Sequence, residues 1–172
     1  MPVWPFKRSK ADTDAQRLLE AVTQASRQPA LFGEGRIPDT LEGRFELMAL
    51  NASLALIRVR KASGAEPLAQ SFTDKLFRLW DAGLREDGVG DLVVPKKMRK
   101  LAGSFYGRLS AYEDGLKSPE ALGGAVGRNL LAADAHPFAP TLAAYAVHTA
   151  GVQAGAELDA LFTSEGWPVY QG

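Results

Sequence analysis

No cysteine occurs among the 172 residues, and there are only two histidines, His136 and His148. A chain without thiols forms no disulfide framework, holds no cysteine-ligated zinc or iron-sulfur centre and has no thiol nucleophile. It suits a reducing compartment, and the cytoplasm is the expected location. The two histidines have no Glu-x-x-His partner motif, which excludes a ferritin-like di-iron site. No Gly-x-Ser-x-Gly elbow and no Walker spacing is present. The carboxylate pairs Glu86–Asp87 and Glu113–Asp114 are sequence neighbours, and neighbours on a helix point apart. No metal, cofactor or catalytic residue is therefore expected, and the residues read as a binding or scaffolding protein rather than an enzyme.

Long apolar runs are missing too. The stretch FELMALNASLALI, residues 45–57, contains Glu46 and Asn51 and falls short of the roughly 20 apolar residues that span a bilayer. The N-terminal MPVWPFKRSK lacks the apolar run of a secretory signal, so export is not expected. No alternating β-branched run predicts a strand. Lysine and arginine stop at Arg128, leaving a mildly acidic last quarter, while 20 basic and 20 acidic residues balance to zero. Bulk charge thus gives no support to DNA binding.

What is present is helical periodicity. The fold class it predicts is all-α, with a single compact domain of about six helices over residues 11–172 and a basic, aromatic tail at residues 1–10. Helices are predicted over 12–28, with Leu18, Leu19 and Val22 inward and Pro29 at the end, and over 40–62, where Asp39 and Glu42 resemble a capping box. The 40–62 helix is apolar on most sides, so it is the predicted central helix. A third, over 67–87, carries an inward stripe of Leu68, Phe72, Leu76, Leu79 and Leu84, widened by Phe77 and Trp80, and Gly88 stops it. The fourth starts between Asp91 and Pro95 and runs to Leu116. Ser118 caps a fifth, with Pro119 in its first turn, and a sixth is predicted over 140–164.

The segment GVGDLVVPKKMRKLAGSFYGR, residues 88–108, joins a glycine-rich turn to a basic helix. A helix stop at Gly88, a turn at Gly90 and a cap at Asp91 account for the glycines without a phosphate loop. At about 100° per residue, Met98, Leu101, Ala102, Phe105, Leu109 and Tyr112 share the core-facing sector. Lys96, Lys100, Gly103, Gly107 and Ala111 fall opposite, with Lys97 and Arg99 at the margins. Glycines at 103 and 107 cost roughly 1 kcal/mol each relative to alanine. Either another helix of this chain packs there, or the strip receives a partner helix between flanking cations. Lys96, Lys97, Arg99 and Lys100 sit where positive charge opposes the helix dipole, which points to binding of a partner or a membrane surface. In the tail, Trp4 and Phe6 beside Lys7, Arg8 and Lys10 have the make-up of a peripheral membrane contact.

The strings GRFELMALNASLALIRVR and GVGDLVVPKKMRKLAGSFYGRLSAYEDGL, with a terminal GWP, resemble the ubiquinol-cytochrome c chaperone family. These are bacterial relatives of the mitochondrial assembly factor that holds newly made cytochrome b for complex III. The resemblance implies a helical, non-enzymatic chaperone at the cytoplasmic face of the inner membrane, with cytochrome b as client. Mitochondrial members also work with a small partner subunit. One position departs: the family commonly has histidine where this chain has Asn51, and mitochondrial members follow it with tryptophan where Ser53 stands. Asn51 then either contributes an amide to client contact or is a satisfied core residue. The alternative reading is a small helical carrier or enzyme for a hydrophobic ligand such as a quinone, which needs an enclosed pocket where a chaperone needs an open groove. A third reading, contact of the Lys96–Lys100 cluster with ribosomal RNA, would show as salt-dependent binding.

Overall fold

The computed structural model describes residues 8–172, and within them six α-helices form one all-α domain with no strands. The helices are α1 (Lys10–Ala25), α2 (Leu41–Arg60), α3 (Glu66–Glu86), α4 (Val94–Gly115), α5 (Pro119–Leu130) and α6 (Ala139–Ala154). Short 3-10 turns follow α1 at Pro29–Leu31 and α6 at Leu158–Phe162 and Ser164–Gly166.

Helix α2 is the centre, and its composition explains why. Ala49, Ala52, Ala55, Leu56, Ile57 and Val59 enter one apolar cluster with α1, α3 and α4. Leu47, Leu50 and Leu54 enter a second cluster with α4, α5 and α6. A helix apolar all round has no water-facing side to keep, so it is stable only when other helices surround it. Contacts to α1, α3, α4, α5 and α6 do so. Thr40 caps it by accepting from the Gly43 N–H at 3.1 Å. The predicted capping residue Asp39 instead takes the Arg44 guanidinium at 2.9 Å.

Local chemistry moves several predicted boundaries. Helix α1 begins two residues early because the Ser9 hydroxyl accepts from the Asp12 N–H, so Lys10 belongs to the helix rather than to a tail. On α3 the inward row is Leu68, Phe72, Leu76 and Trp80. Residues four apart drift round a helix, so at the level of Trp80 the core direction has turned away from Leu79, which is 40% exposed. Gly88, at φ +87°, ends that helix as predicted. Asp91 does not cap α4; its carboxylate pairs with Arg85, and α4 starts at Val94 with no capping side chain. Ser118 precedes α5 but its hydroxyl makes no capping bond.

The largest departure is at the C-terminus, where α6 ends at Ala154 instead of continuing to residue 164. Arg58 on α2 donates to the carbonyls of Gln153 at 2.8 Å and Ala156 at 2.9 Å, placing a cation at the helix end and occupying acceptors that further turns would use. The chain then folds back so that the Trp167 indole donates to the Leu161 carbonyl at 3.0 Å, buried in the cluster of α1 and α3. The glycine of GWP has a steric reason: a Cβ on Gly166 would stand 2.9 Å from the Ala160 carbonyl oxygen.

Asn51 lies fully buried inside α2. Its amide donates to Ser26 Oγ at 3.1 Å and accepts from the Tyr145 hydroxyl at 3.0 Å, while Gln28 donates to that hydroxyl and accepts from the Tyr170 N–H. This network joins the end of α1, the middle of α2, α6 and the C-terminal segment. Removing the Tyr145 hydroxyl leaves the Asn51 carbonyl oxygen buried without its donor. Tyr145→Phe is expected to lower stability by about 1–2 kcal/mol, read as a lower denaturation midpoint at an unchanged denaturant slope.

Candidate functional site

The surface made by α2, α3 and α4 is where the chain is least finished. An open groove of about 250 Å³ runs between the end of α2 and the start of α3, with Leu56, Val59, Ala65, Ala69 and Thr73 in its lining and Tyr106 of α4 at its side. Alanines at 62, 65 and 69 keep it shallow. Arg60 and Glu66 place one charge of each sign at it.

Tyr106 is 46% exposed yet well supported. Its ring stands edge-on to Phe77 at 6.0 Å and lies 5.7 Å from Phe105. Phe105 and Phe77 continue into Trp80, and Trp80 into Phe45 at 4.7 Å. An aromatic held by other rings loses little freedom on binding, which suits it to anchor an apolar partner. The sequence pattern placed the Phe105–Tyr106 pair within a family block without marking Tyr106 as a contact; its signal was an aromatic beside, rather than within, the inward row of α4.

Gly103 and Gly107 lie on the exposed side of α4, and among the described residues nothing stands within 4 Å of where a Cβ would be on either. Of the two alternatives for this strip, packing by another of the described helices is therefore not the one realised. The glycine that does serve close helix contact on α4 is Gly115, whose Cβ would come 2.9 Å from the Leu122 Cα of α5. Lys96, Lys97, Arg99 and Lys100 are all exposed, and none forms an ion pair among the described residues. The expected inward residues of this half of α4, Met98, Leu101 and Ala102, are only half-buried; Val94, Phe105, Leu109 and Tyr112 carry its burial.

Other expectations fall elsewhere. Asn51, a candidate for client contact, has no exposed surface and its amide is spent in the core network, which corrects that assignment. Arg8 and Lys10 pair with Asp12 and Asp14 on α1, at 3.9 and 2.5 Å, and Trp4, Phe6 and Lys7 lie outside the described residues. His148 is exposed, and His136 uses Nδ1 to accept from the Phe138 N–H at 3.0 Å. Among the described residues no group of three or more His, Cys, Asp or Glu converges as a metal site, and no helix is long and apolar enough to cross a membrane.

Between α4 and the start of α2 lies an ion pair that the sequence pattern did not single out. Arg108 of α4 donates from Nε and a terminal nitrogen to both Glu46 oxygens, at 2.6 and 2.5 Å, and also to the Ser104 carbonyl. The Glu46 side chain is 13% exposed and that of Arg108 21%. Burial pushes the Glu46 carboxyl up from its ordinary value, against the pull of Arg108. The signal available in the sequence was a lone acid inside an apolar stretch, which demands a partner.

The described residues thus form an all-α domain with an open groove by α2, α3 and α4 and two exposed glycines on α4. Residues 34–165 match the family described as ubiquinol-cytochrome C chaperone. The chain belongs to that family. A crystal structure of the Cbp3 homolog from Brucella abortus superposes with a TM-score of 0.79 at 34% identity, covering 95% of this chain and 92% of that one. No curated protein sequence matches the chain.

Replacing Arg108 with methionine strands the Glu46 carboxylate. Stability at neutral pH is expected to fall by about 3 kcal/mol. An isolated buried carboxyl takes up a proton more readily when folded than when unfolded. The lost stability should therefore return as pH falls through the raised folded-state value, and be missing at any pH above it. Denaturation of the variant and parent between neutral and mildly acid pH checks this: the gap narrows on acidification.

Proposed function

We propose that this protein is an assembly chaperone of the cytochrome bc1 complex that holds newly made cytochrome b, covering an apolar client helix with the α2–α3–α4 groove and the adjoining face of α4. Membership of the ubiquinol-cytochrome c chaperone family and the likeness to the Cbp3 homolog support the assembly role. The single observation that carries the client site is the bare strip at Gly103 and Gly107, where none of the described residues stands within 4 Å of either missing Cβ.

The physical case is one of unexplained cost. Two exposed helical glycines destabilise α4 without relieving any contact inside the molecule. A partner backbone that must come close gives them a purpose, since small residues four apart let helices approach at van der Waals distance. A client membrane helix waiting for cofactor or partners exposes apolar surface that must be covered and later released. A groove with one rigid aromatic anchor and shallow alanine walls does this without enclosing the client. The quinone-carrier alternative calls for an enclosed apolar pocket with converging polar groups; both this groove and the cleft by His136 and Pro140 open to solvent. The cytoplasmic face of the inner membrane is where such a client emerges.

Alanine at both positions separates the readings. The Gly103→Ala/Gly107→Ala protein is expected to gain up to about 2 kcal/mol of stability, because both methyl groups project into open space. Retention of cytochrome b from detergent-solubilised membranes should fall with it. A stabilised protein with undiminished retention and normal complex III assembly would remove the strip from the client site.

A further inference from the structure

Leu92 is 97% exposed and its neighbour Val93 is 47% exposed, at the turn between α3 and α4. Single apolar residues on a surface are ordinary. Here two adjacent ones occupy a glycine-rich turn, and neither contributes to the two core clusters. Immediately behind them, in the first two turns of α4, stand Lys96, Lys97, Arg99 and Lys100, exposed and without ion pairs among the described residues. Helix α4 also begins without a capping side chain or an acid in its first turn, so its dipole adds to the positive field. The acids of this segment are Glu86, Asp87 and Asp91, and Asp91 is taken up by Arg85. Between residues 85 and 100 five cations stand against three acids.

We infer that this turn is a membrane-docking tip, in which Leu92 and Val93 enter the boundary between headgroups and acyl chains of an anionic bilayer while the cations behind them contact lipid phosphates. The order of the residues matches the order of the layers. Apolar side chains lead, and lysines a turn or two back can extend along the bilayer surface while keeping their ammonium groups among phosphates. Anionic lipid is favoured over nucleic acid because phosphate contact alone gives no use to a fully exposed leucine. Each cation near an anionic surface is worth about fivefold in partitioning. Binding should therefore be strong on acidic membranes and weak on neutral ones. The inference does not depend on which client the groove holds, and it assigns the lysine cluster to lipid, leaving Tyr106 and the glycine strip to the client.

The absence of cysteine makes the test direct, since Leu92→Cys introduces a unique thiol for an environment-sensitive nitrobenzoxadiazole label. With vesicles of phosphatidylcholine and phosphatidylglycerol the label should brighten and shift to the blue, and with phosphatidylcholine alone it should not. In co-sedimentation of the full chain, Leu92→Ser/Val93→Ser should weaken partitioning by about tenfold, and glutamine at the four basic positions by about 600-fold. Both changes fall on exposed residues, so circular dichroism should show an intact fold. A label that stays in water while the protein sediments with vesicles overturns the proposal. So does loss of binding in Trp4→Ser/Phe6→Ser with retention in Leu92→Ser/Val93→Ser, which would place the contact in the N-terminal segment. Co-sedimentation with ribosomes instead of vesicles, lost on the glutamine substitutions, would assign the cations to RNA and overturn it equally.

Discussion

Everything in this molecule depends on a helix that cannot face water. Helix α2 divides its side chains between two apolar clusters, and the other five helices are placed by the need to cover it. A dry interior leaves no freedom for its few polar groups. Asn51 is met by Ser26 and Tyr145, and Glu46 by a two-pronged Arg108. These bonds set how α1, α4 and α6 lie against the centre. Arg108, two residues from Tyr106, ties α4 to the start of α2.

The surface departs from this economy. Inside, a glycine stands where a Cβ would collide, as at Gly115 and Gly166. Outside, Gly103 and Gly107 have room that they do not use, and Leu92 is exposed where a polar residue would be better for solubility. Departures from the best choice for stability gather where something other than stability is selected. These three lie on α4 and the turn before it, though Gly83, Gly123 and Gly151 on other helices also have open space at the missing Cβ. That grouping, together with the groove, is the ground on which this face is proposed as the client surface.

Much of the fold was legible because helix periodicity and apolar content act locally. The central role of α2 could be read from its lack of a polar face, and the stop at Gly88 from the need for positive φ. What was hidden arose from contacts distant in sequence. The end of α6 depends on Arg58, nearly a hundred residues away, taking its last carbonyls. The outward turn of Leu79 depends on the drift of a contact row along α3. Of the candidate site, the exposed character of Lys96, Lys97, Arg99, Lys100, Gly103 and Gly107 followed from the helical wheel. Whether the glycines were covered did not follow, because a wheel shows direction and not neighbours. Asn51 looked like a contact residue only while its three-dimensional partners were unknown, and Tyr106 drew no assignment because the wheel placed it outside the inward row.

The central claim is that the face bearing Tyr106 and the glycine strip meets the client. A photoreactive benzoylphenylalanine placed at position 106, compared with the same group at exposed position 148 on α6, tests it in membranes actively synthesising cytochrome b. The account predicts a covalent adduct with cytochrome b from position 106 and none from 148. Adducts from 148 alone, or equal yields from both, would contradict it.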